Sequence, residues 1–485
     1  MPNAPASPSV VVDTHRKFPP GGTSASVKVT RANTSGRNGL TDQLVIWAIV
    51  TSVFFLVFLG DPSGNRWRRQ PFFSLVDIFA VGLVACGAMD AVRAVRAGQR
   101  WPTTPVTRGL VAMLVAVMVA FAVHPSMMGA ATLLHFSAAV TMARQIERRP
   151  QLVRPVVLTV LSITTFEAII AAGQFTGKRA VGLHALGELL DPFMRFGEGP
   201  NAAMIPSGTM FNPNPLAGFC LLAVAIAAVS ARRGLIGPVF GAFSAFASGV
   251  MVGLSSSVAA ALAAAALAAM LVLASLAGRD RSRGRRPVLL VLAGFALGLA
   301  LAVPAARDGW QVKGERTMQG VETAGNGRVA LLRQALAMTE RWPLTGVGPG
   351  RYMAERDANP EIAAIASEPQ PVHNFFALFV VESGVLGVLA IAYLGLQLLR
   401  GWKRNWVPTV IILAGVSGSL MFDHYLWLFT AGSVQIGVAL GIIGAMGATK
   451  VSVSVPGTVL QAHEAGASQG MFSKFRRVRP SPGNR

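Results

Sequence analysis

The sequence predicts an all-α, polytopic integral membrane protein with about twelve transmembrane helices and a large, partly helical loop outside the membrane. Its composition is the first reason, because 52% of 485 residues are hydrophobic and only 13% are charged, which is too apolar for a soluble chain of this length. The second reason is that apolar runs near the bilayer-spanning length of about 20 residues recur along the chain. The third is that Lys and Arg collect in alternate connections between these runs.

The strongly basic balance does not indicate a nucleic-acid partner. The net charge of +21 comes from residues scattered through short connections, and membrane topology explains that distribution better. Cys86 and Cys220 both lie inside apolar runs, and no Cys/His group has the spacing of metal ligands. We therefore expect no disulfide, no structural metal and no cofactor.

Two basic tails flank the membrane domain, which we place at residues 41–447. Residues 1–40 are rich in Pro, Ser, Thr and Gly and lack the apolar core of a signal peptide, so they predict a disordered cytoplasmic tail. Residues 448–485 predict a second cytoplasmic tail. The predicted spans are 41–59, 72–92, 107–123, 125–143, 153–175, 213–231, 234–254, 256–277, 287–306, 373–399, 405–422 and 424–447.

The charge bias predicts the orientation of these spans. With the N-terminus inside, the cytoplasmic connections hold most of the arginines, whereas the short outside loops near Pro125, Ser255 and Asp423 carry no Lys or Arg. The first outside loop disagrees, because it contains Arg66, Arg68 and Arg69. Both termini are thus predicted to be cytoplasmic, with two longer loops, about 176–212 and about 307–372, outside.

Arg328 is a candidate anion-binding residue in the second loop. We expect it in the first turn of a helix, with Asn326 as the N-cap and with Val329, Leu332 and Leu336 recurring at helical spacing behind it. Helix N-termini attract anions, and a guanidinium holds phosphate through two parallel hydrogen bonds. The alternative is a solvated arginine on an amphipathic surface helix.

A glycine turn follows the helix predicted at 327–341. The glycines of Gly346–Gly350 let the backbone approach a ligand closely or let the loop move. Trp342 and Tyr352 beside the turn suit either a membrane interface or the face of a sugar.

His373 is a candidate reacting group, because it precedes a long apolar run and would meet a lipid-linked substrate at the membrane surface. The same position is equally compatible with an interfacial histidine that caps a transmembrane helix. Asn212 and Asn214, before another span, either hydrogen-bond a sugar or cap that helix.

Several charged residues lie inside the apolar runs and should face the bundle interior or a wet cavity, because a charge at mid-bilayer costs at least roughly 2.5–3.5 kcal/mol. Glu382 lies nine residues past His373, on the opposite face of a straight helix, so a dyad of the two is not expected. Glu382, followed by Gly384 and Gly387, instead predicts a tight helix contact. The charged residues in question are Asp77, Asp90, His135, Glu167 and Glu382.

In combination these segments resemble the bacterial O-antigen ligase and O-antigen polymerase superfamily over roughly residues 200–445. One position departs from the pattern: the family usually carries a Ser-Arg-Gly-like signature where this chain has Ser255, Ser256, Ser257 and Val258, so a second phosphate-binding arginine is absent there. The matching segments are Gly208–Asn214, Gly327–Arg328, Trp342–Gly350, His373–Asn374, Glu382–Gly387 and Asp423–Trp427.

The resemblance implies a metal-independent, inverting glycosyltransferase in the bacterial inner membrane, active in lipopolysaccharide, O-antigen or exopolysaccharide biosynthesis. The donor would be a glycan on undecaprenyl diphosphate, and the acceptor a sugar hydroxyl on lipid A-core (ligase) or on another lipid-linked glycan (polymerase). Arg328 would neutralise the departing pyrophosphate and His373 would act as general base. The predicted substrate-binding residues are Arg333, Arg351, Asn374, Asn212, Asn214, Asp423 and His424.

A membrane transporter is the alternative from another class, because about twelve spans and buried carboxylates are compatible with one. Against it, the sequence shows no internal repeat between its halves, and its motifs concentrate on one outside loop.

Overall fold

A computed structural model gives a bundle of helices whose connecting segments at one end fold into shorter helices. It describes residues 43–48, 75–96, 98, 104–183, 188, 194–196, 203–210, 212–276, 281–322, 327–366, 369–422, 425–428 and 430–448. Both predicted tails lie outside these residues. The helices are α1 Leu75–Arg96, α2 Pro105–Val123, α3 Met127–Arg148, α4 Val153–Gly177, α5 Pro213–Arg232, α6 Pro238–Leu254, α7 Val258–Leu276, α8 Arg281–Ala305, α9 Arg307–Glu322, α10 Arg328–Arg341, α11 Tyr352–Ala358, α12 Pro360–Ile365, α13 Phe375–Phe422, α14 Tyr425–Leu428 and α15 Thr430–Ala448.

The helical membrane architecture is confirmed, whereas the count of twelve spans is not. Among the described residues, seven helices are long and apolar enough to cross a membrane. Three further apolar helices are shorter, at Pro238–Leu254, Trp406–Met421 and Gly432–Met446. The first predicted span, 41–59, lies mostly outside the described residues.

Helix α13 folds back on itself. Its 48 helical residues would extend about 72 Å as a straight rod. Asn374 at its start nevertheless donates a hydrogen bond from Nδ2 to the carbonyl oxygen of Met421 near its end, at 3.1 Å. The segment therefore contains two arms that run in opposite directions, Phe375–Gly401 and Trp406–Met421. They correspond to the spans predicted at 373–399 and 405–422.

The bundle is packed tightly through small residues. Helix α5 is almost completely buried among its neighbours, with 94% of the residues in its apolar stretch inside the protein. Helices α6 and α8 approach so closely that a Cβ atom on Gly249 would lie 2.2 Å from the carbonyl oxygen of Phe295, and one on Gly298 would lie 2.2 Å from that of Phe246. Such contacts are typical of helix pairs in membranes, where packing rather than the hydrophobic effect holds helices together.

The charged residues inside the spans face the protein, as expected. Asp77 and His135 are both buried and form a hydrogen bond, with His135 Nε2 2.8 Å from Asp77 Oδ1. Asp90 accepts a hydrogen bond from Gln145 at 3.2 Å, and a guanidinium nitrogen of Arg149 lies 3.8 Å from its carboxylate. Pairing of this kind offsets part of the cost of burial.

A short two-stranded ribbon is the exception to the all-α prediction. Strands β1 (Met194–Phe196) and β2 (Ala203–Ile205) pair antiparallel, with Arg195 opposite Met204. They belong to the first of the two predicted outside loops.

Helix α4 anchors the rest of that loop. Glu167 accepts hydrogen bonds from the backbone and side chain of Thr209, and Gln174 bonds both the N–H and the carbonyl of Gly208. Gln174 also donates to Glu188, which accepts three backbone N–H bonds from residues 181–183. Burial alone would raise the pKa of Glu188, but these hydrogen bonds stabilise the carboxylate and hold its pKa below the ordinary value.

Candidate functional site

The glycine turn at residues 343–350 inserts into a break in the first arm of α13. In a regular helix Val385 N–H would donate to the carbonyl of Val381. Here Val385 N–H donates to the carbonyl of Pro343 at 2.8 Å, and the Val381 carbonyl accepts from Val347 at 2.9 Å. The Glu382 carbonyl likewise accepts from Gly348, at 3.1 Å. The turn therefore completes the hydrogen bonding of a membrane helix, which non-helical backbone at this depth requires.

The glycines of this region are required by close backbone contacts. Gly346 and Gly384 both have positive φ, of 67° and 62°. A Cβ atom on Gly346 would lie 2.3 Å from the carbonyl oxygen of Val381, and one on Gly384 would lie 2.5 Å from the backbone of Leu344. Gly348 packs in the same way against His124. These glycines let other segments of the protein pack closely against the turn. The contacts therefore favour a packing role for the glycines over a role in ligand approach or loop movement.

The carboxylate of Glu382 locks the turn to the helix. It is 1% exposed, and its Oε2 accepts hydrogen bonds from Gly350 N–H at 2.8 Å and from Trp427 Nε1 at 2.6 Å. Trp427 itself packs edge-on against Phe379, with ring centroids 4.9 Å apart. The tight contact predicted for Glu382 thus exists, but its partners are a loop and a tryptophan rather than another transmembrane helix.

Arg328 begins α10 as predicted, but its surroundings differ from the expectation. The N-cap is Gly327, and Asn326 lies outside the described residues. The predicted apolar face of Val329, Leu332 and Leu336 is the exposed one, with exposures of 54%, 44% and 56%. The helix instead packs inward through its other side, and both Arg328 and Arg333 are exposed. The residues buried by α10 are Ala330, Leu331, Gln334, Ala335 and Met338.

Buried polar side chains tie α10 to the helices after the glycine turn. Tyr352 is buried, and its hydroxyl donates to Gln334 Oε1 at 3.1 Å, while Gln334 Nε2 donates to the carbonyl of Ile362 at 2.8 Å. Tyr352 is therefore a packing residue and does not lie on an interface or a sugar-binding surface. Arg351 forms an ion pair with Glu355 in the next helical turn, which offsets part of its charge.

His373 lies directly before α13 and is half-buried. Its neighbour Asn374 caps that helix, because its Oδ1 accepts the Ala377 N–H at 2.9 Å, and its Nδ2 holds the second arm at Met421. The cap and this cross-link fix the backbone next to the imidazole. Helix α10, which carries Arg328, packs against α13.

Of the two asparagines of the first loop, Asn212 takes the capping role that the sequence left open. Asn212 is the N-cap of α5, with its Oδ1 accepting the Asn214 N–H at 2.9 Å. Asn214 lines a small cavity together with Ser257 and Ser419. The remaining predicted site residues, Asp423 and His424, lie outside the described residues.

Sequence analysis missed two residues at this end of the bundle. His124, between α2 and α3, lies with Nε2 3.4 Å from Thr345 Oγ1 in the glycine turn. Lys313 on α9 donates a hydrogen bond to the Ser255 carbonyl at 2.9 Å. Burial and the neighbouring Arg328 lower the pKa of Lys313 to about 8. No local sequence signal marks either residue, because each is brought to the site by contacts between distant segments.

Comparison with known proteins identifies one matching family. Residues 242–392 match a family model described as O-antigen ligase. The matched stretch contains Ser255, Lys313, Arg328, the glycine turn and His373, and it ends beyond Glu382. A search of curated proteins found no match to the chain. The predicted superfamily is therefore confirmed, and the transporter alternative has no support.

Proposed function

We propose, from the match of residues 242–392 to a family model described as O-antigen ligase, that the protein transfers a glycan from undecaprenyl diphosphate to a sugar hydroxyl. The acceptor is lipid A-core or a second lipid-linked glycan. The observation that carries the proposal is the family match itself, because it spans both Arg328 and His373 within one continuous domain. Assays with each acceptor, supplied separately to purified protein, distinguish a ligase from a polymerase.

His373 acts in this proposal as the general base. Its imidazole takes the proton of the acceptor hydroxyl as the oxygen attacks the anomeric carbon from the face opposite the diphosphate. The bond from that carbon to the diphosphate oxygen breaks, so the configuration inverts. The capped start of α13 supports this role by holding the backbone beside His373, since a base must be positioned within hydrogen-bonding reach of its proton.

Arg328 compensates the charge of the leaving diphosphate. Its side chain is exposed at the start of α10, and the first-turn N–H groups of that helix add favourable electrostatics for an anion. Arg333 and Arg351 are secondary candidates, and Arg351 would have to share its charge with Glu355. Asn374, Asn212, Asn214, Asp423 and His424 remain candidates for contact with the sugars.

Substitutions separate the two principal roles. His373→Ala should bind donor but turn over at least roughly a hundredfold more slowly, because general-base catalysis contributes 10²–10⁴. Arg328→Ala should weaken the binding of undecaprenyl diphosphate by about 1.5–3 kcal/mol, and Arg328→Lys should restore part of it. Arg341→Ala, which removes an exposed arginine at the other end of α10, is the matched control for Arg328→Ala. Normal transfer by folded His373→Ala protein would exclude the base assignment.

The proposal also places the site on the periplasmic side of the bacterial inner membrane, with both termini in the cytoplasm. Glu361 in α12 is exposed, and Gly401 at the far end of the first arm of α13 has open space around its Cβ position. In intact cells a membrane-impermeant thiol reagent should label Glu361→Cys and spare Gly401→Cys. The parent protein, which contains only Cys86 and Cys220, is the background control. The reverse labelling pattern would invert the orientation.

A further inference from the structure

A lysine reaches the loop between α6 and α7 from a separate helix. The Nζ of Lys313 donates to the carbonyl of Ser255, which is the C-cap of α6. The carbonyl end of a helix attracts cations, so this contact stabilises the amino group locally. It also places a cation beside Ser255, Ser256 and Ser257, a segment that contains no charged residue of its own.

Helix α9 is held over this loop at more than one point. One turn before Lys313, Trp310 donates from Nε1 to the carbonyl of Gly253 at 2.8 Å. Gly309 lies so close that a Cβ atom there would be 2.6 Å from Ser256 Oγ. The amino group of Lys313 is therefore carried by an anchored helix.

Two cations are brought together here at an electrostatic cost. Arg328 is near enough to Lys313 to contribute to the low pKa of the lysine. Like charges at close range repel, and an anion between them would convert that repulsion into attraction. In addition, Ser256 is fully buried with a left-handed φ of 48°, and its hydroxyl has no hydrogen-bond partner in the part of the chain that the structure describes. An unpartnered hydroxyl one residue from the carbonyl that Lys313 contacts is a donor suited to a phosphate oxygen.

We propose that Lys313 is the second cation of the diphosphate-binding site and that it binds the donor's diphosphate together with Arg328, with the Ser256 hydroxyl as an additional donor. This inference rests on the proposed function and names a binding residue for it. The amino group supplies from α9 the positive charge that the Ser255–Ser257 segment does not itself contain.

The test measures the affinity of the purified full-length protein for undecaprenyl diphosphate in detergent. Lys313→Gln keeps a hydrogen-bond donor for the Ser255 carbonyl but removes the charge, and it should raise the Kd about tenfold or more. Lys313→Arg should stay within about threefold of the parent. Arg307→Gln is the matched control, because Arg307 is an exposed cation on the same helix, and its Kd should not change. Ser256→Ala should raise the Kd by a smaller factor.

The outcomes separate this inference from the proposed function. An unchanged Kd in folded Lys313→Gln, while Arg328→Ala still loses affinity and the parent still transfers glycan, would overturn the role of Lys313 alone. Equal losses in Lys313→Gln and Arg307→Gln would reduce the effect to general electrostatics and would also overturn it. Displacement of undecaprenyl diphosphate by equimolar phosphatidylglycerol would assign the cations to a bilayer headgroup instead. Absence of glycan transfer by the parent protein, with diphosphate binding intact, would count against the proposed function only.

Discussion

Removing the Glu382 carboxylate should detach the glycine turn from α13. Its Oε2 accepts two hydrogen bonds, from Gly350 and from Trp427. Glu382→Ala leaves the Gly350 N–H and the Trp427 Nε1–H without their acceptor, at about 1–3 kcal/mol for each unsatisfied group, so it should cost roughly 3 kcal/mol. Glu382→Gln retains an acceptor oxygen for both donors, so it should cost only about 1 kcal/mol.

The rate at which a thiol reagent labels a buried cysteine in the turn measures these free-energy changes. Val347 is 1% exposed, so a Val347→Cys thiol reacts only when the turn opens. Each 1.4 kcal/mol changes the open population tenfold. Glu382→Ala should therefore accelerate thiol labelling by roughly a hundredfold or more, and Glu382→Gln by about fivefold. Glycan transfer should fall in the same order, because the turn leads directly into Arg351.

The control for this experiment is Glu361→Ala, which removes an exposed carboxylate of the same loop and should leave the labelling rate unchanged. A double substitution with Trp427→Phe should be less damaging than the sum of the two single ones, because both remove the same hydrogen bond. Parental labelling and full transfer in Glu382→Ala would refute the reasoning.

Three other perturbations test separate features. Gly346→Ala places a Cβ atom 2.3 Å from the Val381 carbonyl oxygen, at a residue with positive φ. The thermal unfolding midpoint of this variant should therefore fall well below that of Gly395→Ala, whose Cβ position has no atom nearby. Equal midpoints would contradict the packing described. Affinity for undecaprenyl diphosphate should be highest below pH 8 and should weaken as pH rises through about 8, because Lys313 loses its proton there. Lys313→Arg should abolish this pH dependence. The same pH dependence in that variant would assign it to another group. Transfer should survive excess EDTA, since no three His, Cys, Asp or Glu residues among those described are grouped as metal ligands; loss restored by one added metal would refute a metal-independent reaction.

The membrane helices were predictable because length and apolarity are local properties. The apolar runs at 373–399 and 405–422 predicted two spans, and the hydrogen bond from Asn374 to Met421 shows that α13 does reverse between them. The start of α10 at Arg328 was also predicted from nearby residues. Asn374 was identified by its position, although its capping contact was not foreseen.

The spacing of apolar residues in α10 predicted a helix but did not identify the face that packs inward. The pattern of Val329 and Leu336 marks the more hydrophobic side, but that side is exposed, while Gln334 on the other side is buried by hydrogen bonds to Tyr352 and Ile362. Beside a membrane, apolarity alone does not distinguish the protein interior from the surface. Lys313 was missed because its proximity to Arg328 depends on the tertiary packing of α9.

The glycine turn also bears on the order of events during biosynthesis. The first arm of α13 cannot satisfy all of its own backbone groups, because the Val385 N–H and the Val381 carbonyl pair with residues 343 and 347. Those residues precede the helix in the chain, so they are synthesised before the span that needs them. A nascent span that inserted without the turn would expose unpaired peptide groups to hydrocarbon, at several kcal/mol each. Docking of the loop should therefore accompany stable integration of this span, and a chain damaged in the turn should accumulate to a lower level.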